Sequence, residues 1–305
     1  MTAANLTMAK PPLRRILASL RVVRGELTCA VLLGALATIC AIGLLAVSGW
    51  LISRASQMPP VLTLEVAIVT VRAFGIGRGV FRYAERIVSH DAAFRALTDL
   101  RVTVWRRLEA LAPQGLGGFR SGDLLTRMVA DVDAAQDLAL RVVLPAGVAV
   151  LAGGLSVIVT WWLLPAAGVV LLLTLLAGAT VVPWVTTATG ARAEQQTAHV
   201  RGELSAEVRT LLNDAPDLLA CGAAASALAE TDGTDRLLTR LARRTAWTTG
   251  IGSGFGVMLA GVAVLGCLVA ALPAVADGRL AGVNLAVIVL LPLAAYESVV
   301  GLPPA

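Results

Sequence analysis

Charge is missing from long intervals of this chain and crowded into the stretches between them, and that alternation predicts its elements. Leu27 to Ser53 is 27 residues without Asp, Glu, Lys or Arg, Val142 to Ala191 is 50, Thr245 to Ala276 is 32 and Leu280 to Tyr296 is 17. A helix crossing the hydrocarbon core needs about 20 predominantly apolar residues. The 50-residue interval is broken near its middle by WWLLP, ending at Pro165, and reads as two spans joined by a tight turn. A further apolar stretch from Pro60 to about Asp91 is interrupted by Glu65, Arg72, Arg78, Arg82, Glu85 and Arg86, and reads as a span that carries charge. The pattern predicts six spans, near 27–53, 61–90, 142–161, 166–191, 245–272 and 280–300.

Two charged stretches, 91–141 and 192–244, separate spans two from three and four from five. Their charges balance, seven Arg against seven acidic residues in the first and seven against eight in the second, so they are not basic tails. Apolar residues recur at helical spacing through AFRALTDLRVTVWRRLEAL and stop at Pro113, which predicts that span two continues as one helix to about residue 112. Some fifty residues make roughly 75 Å of helix, far more than the roughly 30 Å of the bilayer core. Each stretch therefore reads as a long helical hairpin in water. GLGGFRSGDLLTRMVADVD predicts a reversal with a short helix near Ser121 and Asp123, and NDAPDLLACG predicts a second tip.

Composition agrees with lipid as the solvent. The 305 residues are 57% hydrophobic and only 15% charged, with a mean hydropathy of +0.80. A soluble domain carries about 25% charged residues, so disorder, a disulfide scaffold and most soluble enzymes are excluded. The net charge of +5 comes from basic residues that are all Arg except Lys10, spread without a polybasic block, which argues against nucleic acid as a partner. Lys10, Arg14, Arg15, Arg21 and Arg24 precede span one, whereas the turn after it has Arg54 alone, so both termini are expected in the cytoplasm. Cys29, Cys40, Cys221 and Cys267 have no CxxC spacing and predict neither a disulfide nor a metal site. No cleavage site follows a short apolar core, so the first span is expected to stay in the mature chain.

The sharpest chemical feature lies in span two. Arg78, Arg82, Arg86 and His90 are spaced by four, along one helix face, with Arg72 further up. An ionised Arg facing lipid costs several kcal/mol, so such residues usually line a bundle interior or a water-filled cavity. A cavity with a cationic wall suits an anionic substrate. The plainer alternative is that Glu65 and Glu85 pair with some of these Arg while Arg86 and His90 sit at the inner interface. His199, between Glu194 and Glu203, reads as a solvated helix face, and Trp161 and Trp162 read as interface anchors. Asp123, Arg127, Asp131 and Asp133 read as capping and surface groups rather than catalytic ones. No GxxxxGK[ST] run occurs, and the glycines of GIGRG (75–79) and GIGSG (250–254) read as close helix contacts rather than phosphate loops.

Six spans, long cytoplasmic extensions and FRSGDLLTRMVADVD together resemble the transmembrane half of an ABC exporter, and RYAERIVSHDAAFRALTDLR narrows the resemblance to the CydC family of heterodimeric CydDC exporters, as does LPLAAYESVVGLPPA. The resemblance implies an all-α membrane protein with the type I ABC exporter transmembrane domain (type IV ABC transporter fold), in the inner membrane. It implies a CydD-like partner subunit, nucleotide-binding domains and membrane lipid as surroundings. Short tip helices would dock on the ATP-binding domains through Phe119, Arg120, Gly122, Asp123 and Leu124, and through Asp217 and Leu218. ATP hydrolysis is then expected from a domain that this stretch does not contain, and the chain itself should change no covalent bond. The family is linked to haem, to export of glutathione and cysteine, and to cytochrome bd assembly. His90 could ligate haem iron while Arg86 and Arg82 receive propionates, or the same Arg stripe, with Arg78, could hold the carboxylates of a thiol. A membrane haem sensor or assembly factor that transports nothing is the alternative from another class. A secondary transporter fits the long hairpins less well.

Overall fold

A computed structural model describes residues 24–111 and 142–300 of the chain. Among the described residues every regular element is helical: α1 (Arg24–Ala55), a 3₁₀ turn (Val61–Thr63), α2 (Glu65–Leu111), α3 (Leu144–Leu163), α4 (Pro165–Asn213), α5 (Ala215–Ala220), α6 (Ala224–Ala276) and α7 (Gly282–Val300). Helix α2 runs unbroken for 47 residues to Leu111, as the spacing before Pro113 predicts. The break at Pro165 is a single extended residue, Leu164 (φ −155°, ψ 108°), after which the proline opens α4, where its missing N–H costs nothing. Pro183, Pro273 and Pro292 lie inside α4, α6 and α7 without ending them. α1, α3 and α6 are each long and apolar enough to cross a membrane; Pro165–Val181 and Gly282–Glu297 are shorter apolar segments.

The chain forms two compact units. In the first, which holds the described residues up to Leu172 and from Ala263 onward, α1 packs on α2, α3 and α7. Glycines set the approach of α2 to α1. A Cβ at Gly43 would lie 2.8 Å from the Phe74 ring, one at Gly77 3.1 Å from Cys40 Sγ, and one at Gly34 3.3 Å from Glu85 Cγ. The ladder of pairs 43–74, 40–77 and 34–85 is that of two antiparallel helices. Arg95 closes it at the far end, with its guanidinium 2.7 Å from Glu26 Oε1 and 2.8 Å from Asp91 Oδ2. Small residues bring helix backbones close where lipid gives no hydrophobic drive between apolar faces. Helix α3 uses the same device: a Cβ at Gly147 would meet Val31 Cγ1 at 2.8 Å, and Val148 fills the space over Gly34. Ser156 and Thr160, both buried in α3, donate to the carbonyls of Ala152 and Ser156 and so need no partner helix.

The expectation for GIGRG holds in part: Gly77 packs on Cys40, while a Cβ at Gly79 would meet nothing within 4 Å among the described residues. GIGSG divides in the same way: Gly252 is buried in α6, while a Cβ at Gly250 or Gly254 would meet nothing within 4 Å among the described residues. In the second unit, Leu173–Val262, the facing turns of α4 and α6 form a hairpin capped by α5. Leu175, Val200 and Leu241 are buried in this unit, and Thr234 donates to Glu207 Oε1 at 3.0 Å.

Candidate substrate and coupling sites

Along α2 the buried or half-buried positions Phe74, Gly77, Phe81, Glu85, Ser89 and Ala92 recur at three- and four-residue intervals, and Phe74, Gly77 and Glu85 meet α1. Arg78, Arg86 and His90 each follow one of these packed positions, and Arg82 follows the half-buried Phe81. Since successive residues turn by about 100°, the four sit together on the flank of the packed face. All four are exposed in the chain. At 1.5 Å per residue they lie about 20, 26, 32 and 38 Å along α2 from Glu65. Three guanidinium groups and one imidazole thus share the exposed flank of α2.

Its one internal acid is Glu85. This side chain is only 10% exposed, wedged against α1 at Gly34, and its Oε2 lies 4.0 Å from Arg82 Nε. Arg72, Arg78 and Arg86 have no ion pair among the described residues, and Glu65 pairs with none of them. The Arg86 carbonyl accepts from Ser89 Oγ at 3.2 Å, which holds the helix turn that carries the stripe. The His90 ring lies 6.3 Å from that of Phe94, tilted by 42°. Among the described residues no group of three metal-ligating side chains exists, so His90 would supply one ligand to an iron rather than a complete set. His199 is exposed beside Glu203, 3.3 Å away, on α4.

Phe119, Arg120, Gly122, Asp123 and Leu124, together with Ser121, Arg127, Asp131 and Asp133, lie outside the described residues. The second tip is described. Asp217 and Leu218 lie on α5, which Pro216 opens, and Gly222 stops it in the left-handed region (φ +67°). Ala223 N donates to the Leu218 carbonyl at 2.9 Å and Gly222 N to that of Leu219 at 3.2 Å, the paired bonds of a Schellman stop. Leu212 at the end of α4 and Leu219 on α5 are 73% and 72% exposed. Leu219 falls within the tip NDAPDLLACG read from the sequence, whereas Leu212, one residue before it, was missed. Gly222→Val should destabilise the tip by about 1–2 kcal/mol, because a β-branched residue is strained at positive φ. Faster limited proteolysis near residue 222 than in the wild type would show it; unchanged cleavage would mean that the tip relaxes without the left-handed turn.

No protein-family model matches the chain. It is 31% identical over 282 residues to the glutathione/L-cysteine transport system ATP-binding/permease protein CydC of Escherichia coli, covering 89% of this chain and 48% of that protein. The chain is CydC-like. It is also 42% identical over 105 residues to the protein of the same name from Haemophilus influenzae, covering 34% of this chain and 18% of that one. The CydD protein of the same system in Bacillus subtilis is 40% identical over 129 residues, 42% of this chain and 22% of CydD. The CydC-like chain spans about half the length of the Escherichia coli relative. Its apolar helices and these exporter relatives make it a multi-pass membrane protein, and the all-helical fold is consistent with the transmembrane domain of a type IV ABC transporter.

Proposed function

We propose that this chain is the membrane-spanning part of an ATP-driven heterodimeric exporter in the inner membrane, with six spans and both termini cytoplasmic, that moves low-molecular-weight thiols such as glutathione or cysteine. The observation that carries the reading is the exposed row of Arg78, Arg82 and Arg86 on the flank of the α2 face that packs on α1. With Glu65 near one membrane surface, the roughly 30 Å hydrocarbon core would enclose Arg78 and Arg82. Guanidinium groups at that depth need water or an anion rather than lipid. A CydD-like subunit facing this flank closes a cavity in which they receive a carboxylate. The relatives' names, which carry glutathione and L-cysteine, support that class of cargo. Nucleotide-binding domains dock on the two hairpin tips, Phe119 to Leu124 and Asp217 with Leu218, and their closure on ATP alternates access to the cavity. No bond in the cargo is made or broken. The test is ATP-dependent accumulation of labelled glutathione or cysteine in inverted vesicles that hold the chain with its CydD-like subunit and their nucleotide-binding domains. Uptake that does not depend on ATP sinks the proposal.

A second reading, haem as the cargo or a bound ligand during cytochrome bd assembly, is favoured by one specific observation. His90 lies one turn beyond Arg86 on the same exposed face, so an imidazole for iron and a guanidinium for a propionate are adjacent. The same geometry would serve a haem sensor that transports nothing, which the ATP requirement separates from an exporter. Titrating haem into the protein, alone and with its partner, is expected on this reading to give a saturable Soret shift that His90→Ala lacks. No shift, or an equal shift in the variant, leaves the stripe to the thiols.

A further inference from the structure

At the end of the first unit away from Glu26 and Arg95, α1, α2, α3 and α7 line a half-open cavity of about 570 Å³ that the Arg stripe does not use. Its wall on α1 runs from Ile39 to Trp50, and the facing walls run from Thr63 to Phe74 and from Ala152 to Leu163. Eleven residues of helix rise about 16 Å, so the cavity is a slot parallel to the helices. No charged side chain lines it. The hydroxyls of Thr63, Thr70 and Ser156 donate to the backbone carbonyls of Pro60, Val66 and Ala152 at 2.7, 2.7 and 2.8 Å, which leaves an aliphatic and aromatic wall. The polar exceptions, the Trp50 indole and the Asn284 carboxamide, gather with Thr63 at one end, where α1 finishes and α2 and α7 begin. At that end the rim is open, since Val66 is 78% exposed.

The slot is apolar in its depth, polar-tipped at its mouth, and as long as one leaflet is deep, about half of the roughly 30 Å hydrocarbon core. A compact apolar molecule would leave much of that length empty, and surfaces facing a void forfeit their dispersion contacts. A thiol or any other small anion would find no cation there. We propose that the slot holds one acyl chain of a bilayer lipid, entering sideways past Val66, with its ester carbonyl at Trp50 and Asn284. The chain fills the space between α2 and α3, both of which rest on α1, and so acts as a removable wedge in the bundle.

The experiment places the full-length protein in nanodiscs of phosphatidylethanolamine and phosphatidylglycerol, with a trace of phosphatidylethanolamine bearing a diazirine near the end of one acyl chain. After irradiation, mass spectrometry should find adducts inside the slot, at Ile39, Phe74 or Ala152, as well as on the exposed Ile76 and Val80. Ala67→Phe, which fills the slot, should reduce the inner adducts severalfold and leave the outer ones unchanged. Adducts confined to Ile76 and Val80 in the wild type overturn the proposal, and so do inner adducts that persist in Ala67→Phe. If Ala67→Phe does not fold, Ala46→Leu blocks the slot from α1, and the wild-type pattern alone remains decisive.

Discussion

Replacing Arg78 and Arg82 together by glutamate should lower ATP-driven thiol uptake at least about 100-fold in kcat/KM. A hydrogen bond to a charged group contributes about 1.5–3 kcal/mol, so losing two removes about 3–6 kcal/mol. Each 1.4 kcal/mol is tenfold in an equilibrium, which puts the loss at two orders of magnitude or more before repulsion by the new carboxylates is counted. Arg54→Glu is the matched control. It also reverses a charge, but at the end of α1, where Arg54 donates to Gln57 Oε1 at 2.6 Å, and uptake should stay near the wild-type rate. The measurement is initial uptake into inverted vesicles at several thiol concentrations, with protein levels matched. If the double variant transports as well as the wild type, the stripe lies outside the cargo path and a structural role for its cations must replace the proposal.

The residues that made the stripe legible were repeated at a spacing that only a helix brings to one side. Reading 78, 82, 86 and 90 together needed no tertiary information. The same holds for the break at Leu164, set by the backbone limits of the proline after it. What stayed hidden depends on contacts between distant residues. Nothing in the local pattern distinguishes Glu85, buried against Gly34, from Arg86, exposed one position later. The Glu26–Arg95 pair links residues 69 apart. Glycines mislead for a related reason: Gly77 meets a cysteine and Gly254 meets open space, yet both stand in similar glycine-rich apolar runs. A glycine marks a possible close approach, and only the register of the partner helix decides whether the approach is used.

Gly34→Leu should have a large effect on the fold, because it presses on two helices at once. The first added atom alone, a Cβ, would sit 2.8 Å from Val148 Cγ2 and 3.3 Å from Glu85 Cγ, so both α2 and α3 must give way. Overpacking of this kind costs about 1–3 kcal/mol, and leucine adds three more carbons to a space already filled by Val148 and Glu85. Thermal unfolding in detergent, followed by size exclusion, should show a clear fall in Tm for Gly34→Leu and none for Gly79→Leu, whose site is open. Gly147→Ala separates stability from transport. Its Cβ would press only on Val31, and so should strain the contact of α3 with α1 without moving Glu85. Gly34→Leu displaces the carboxylate that stands beside Arg82, so it should lower uptake more than its Tm alone accounts for. Equal uptake by the two variants at matched folded fraction would mean that Glu85 does not position Arg82.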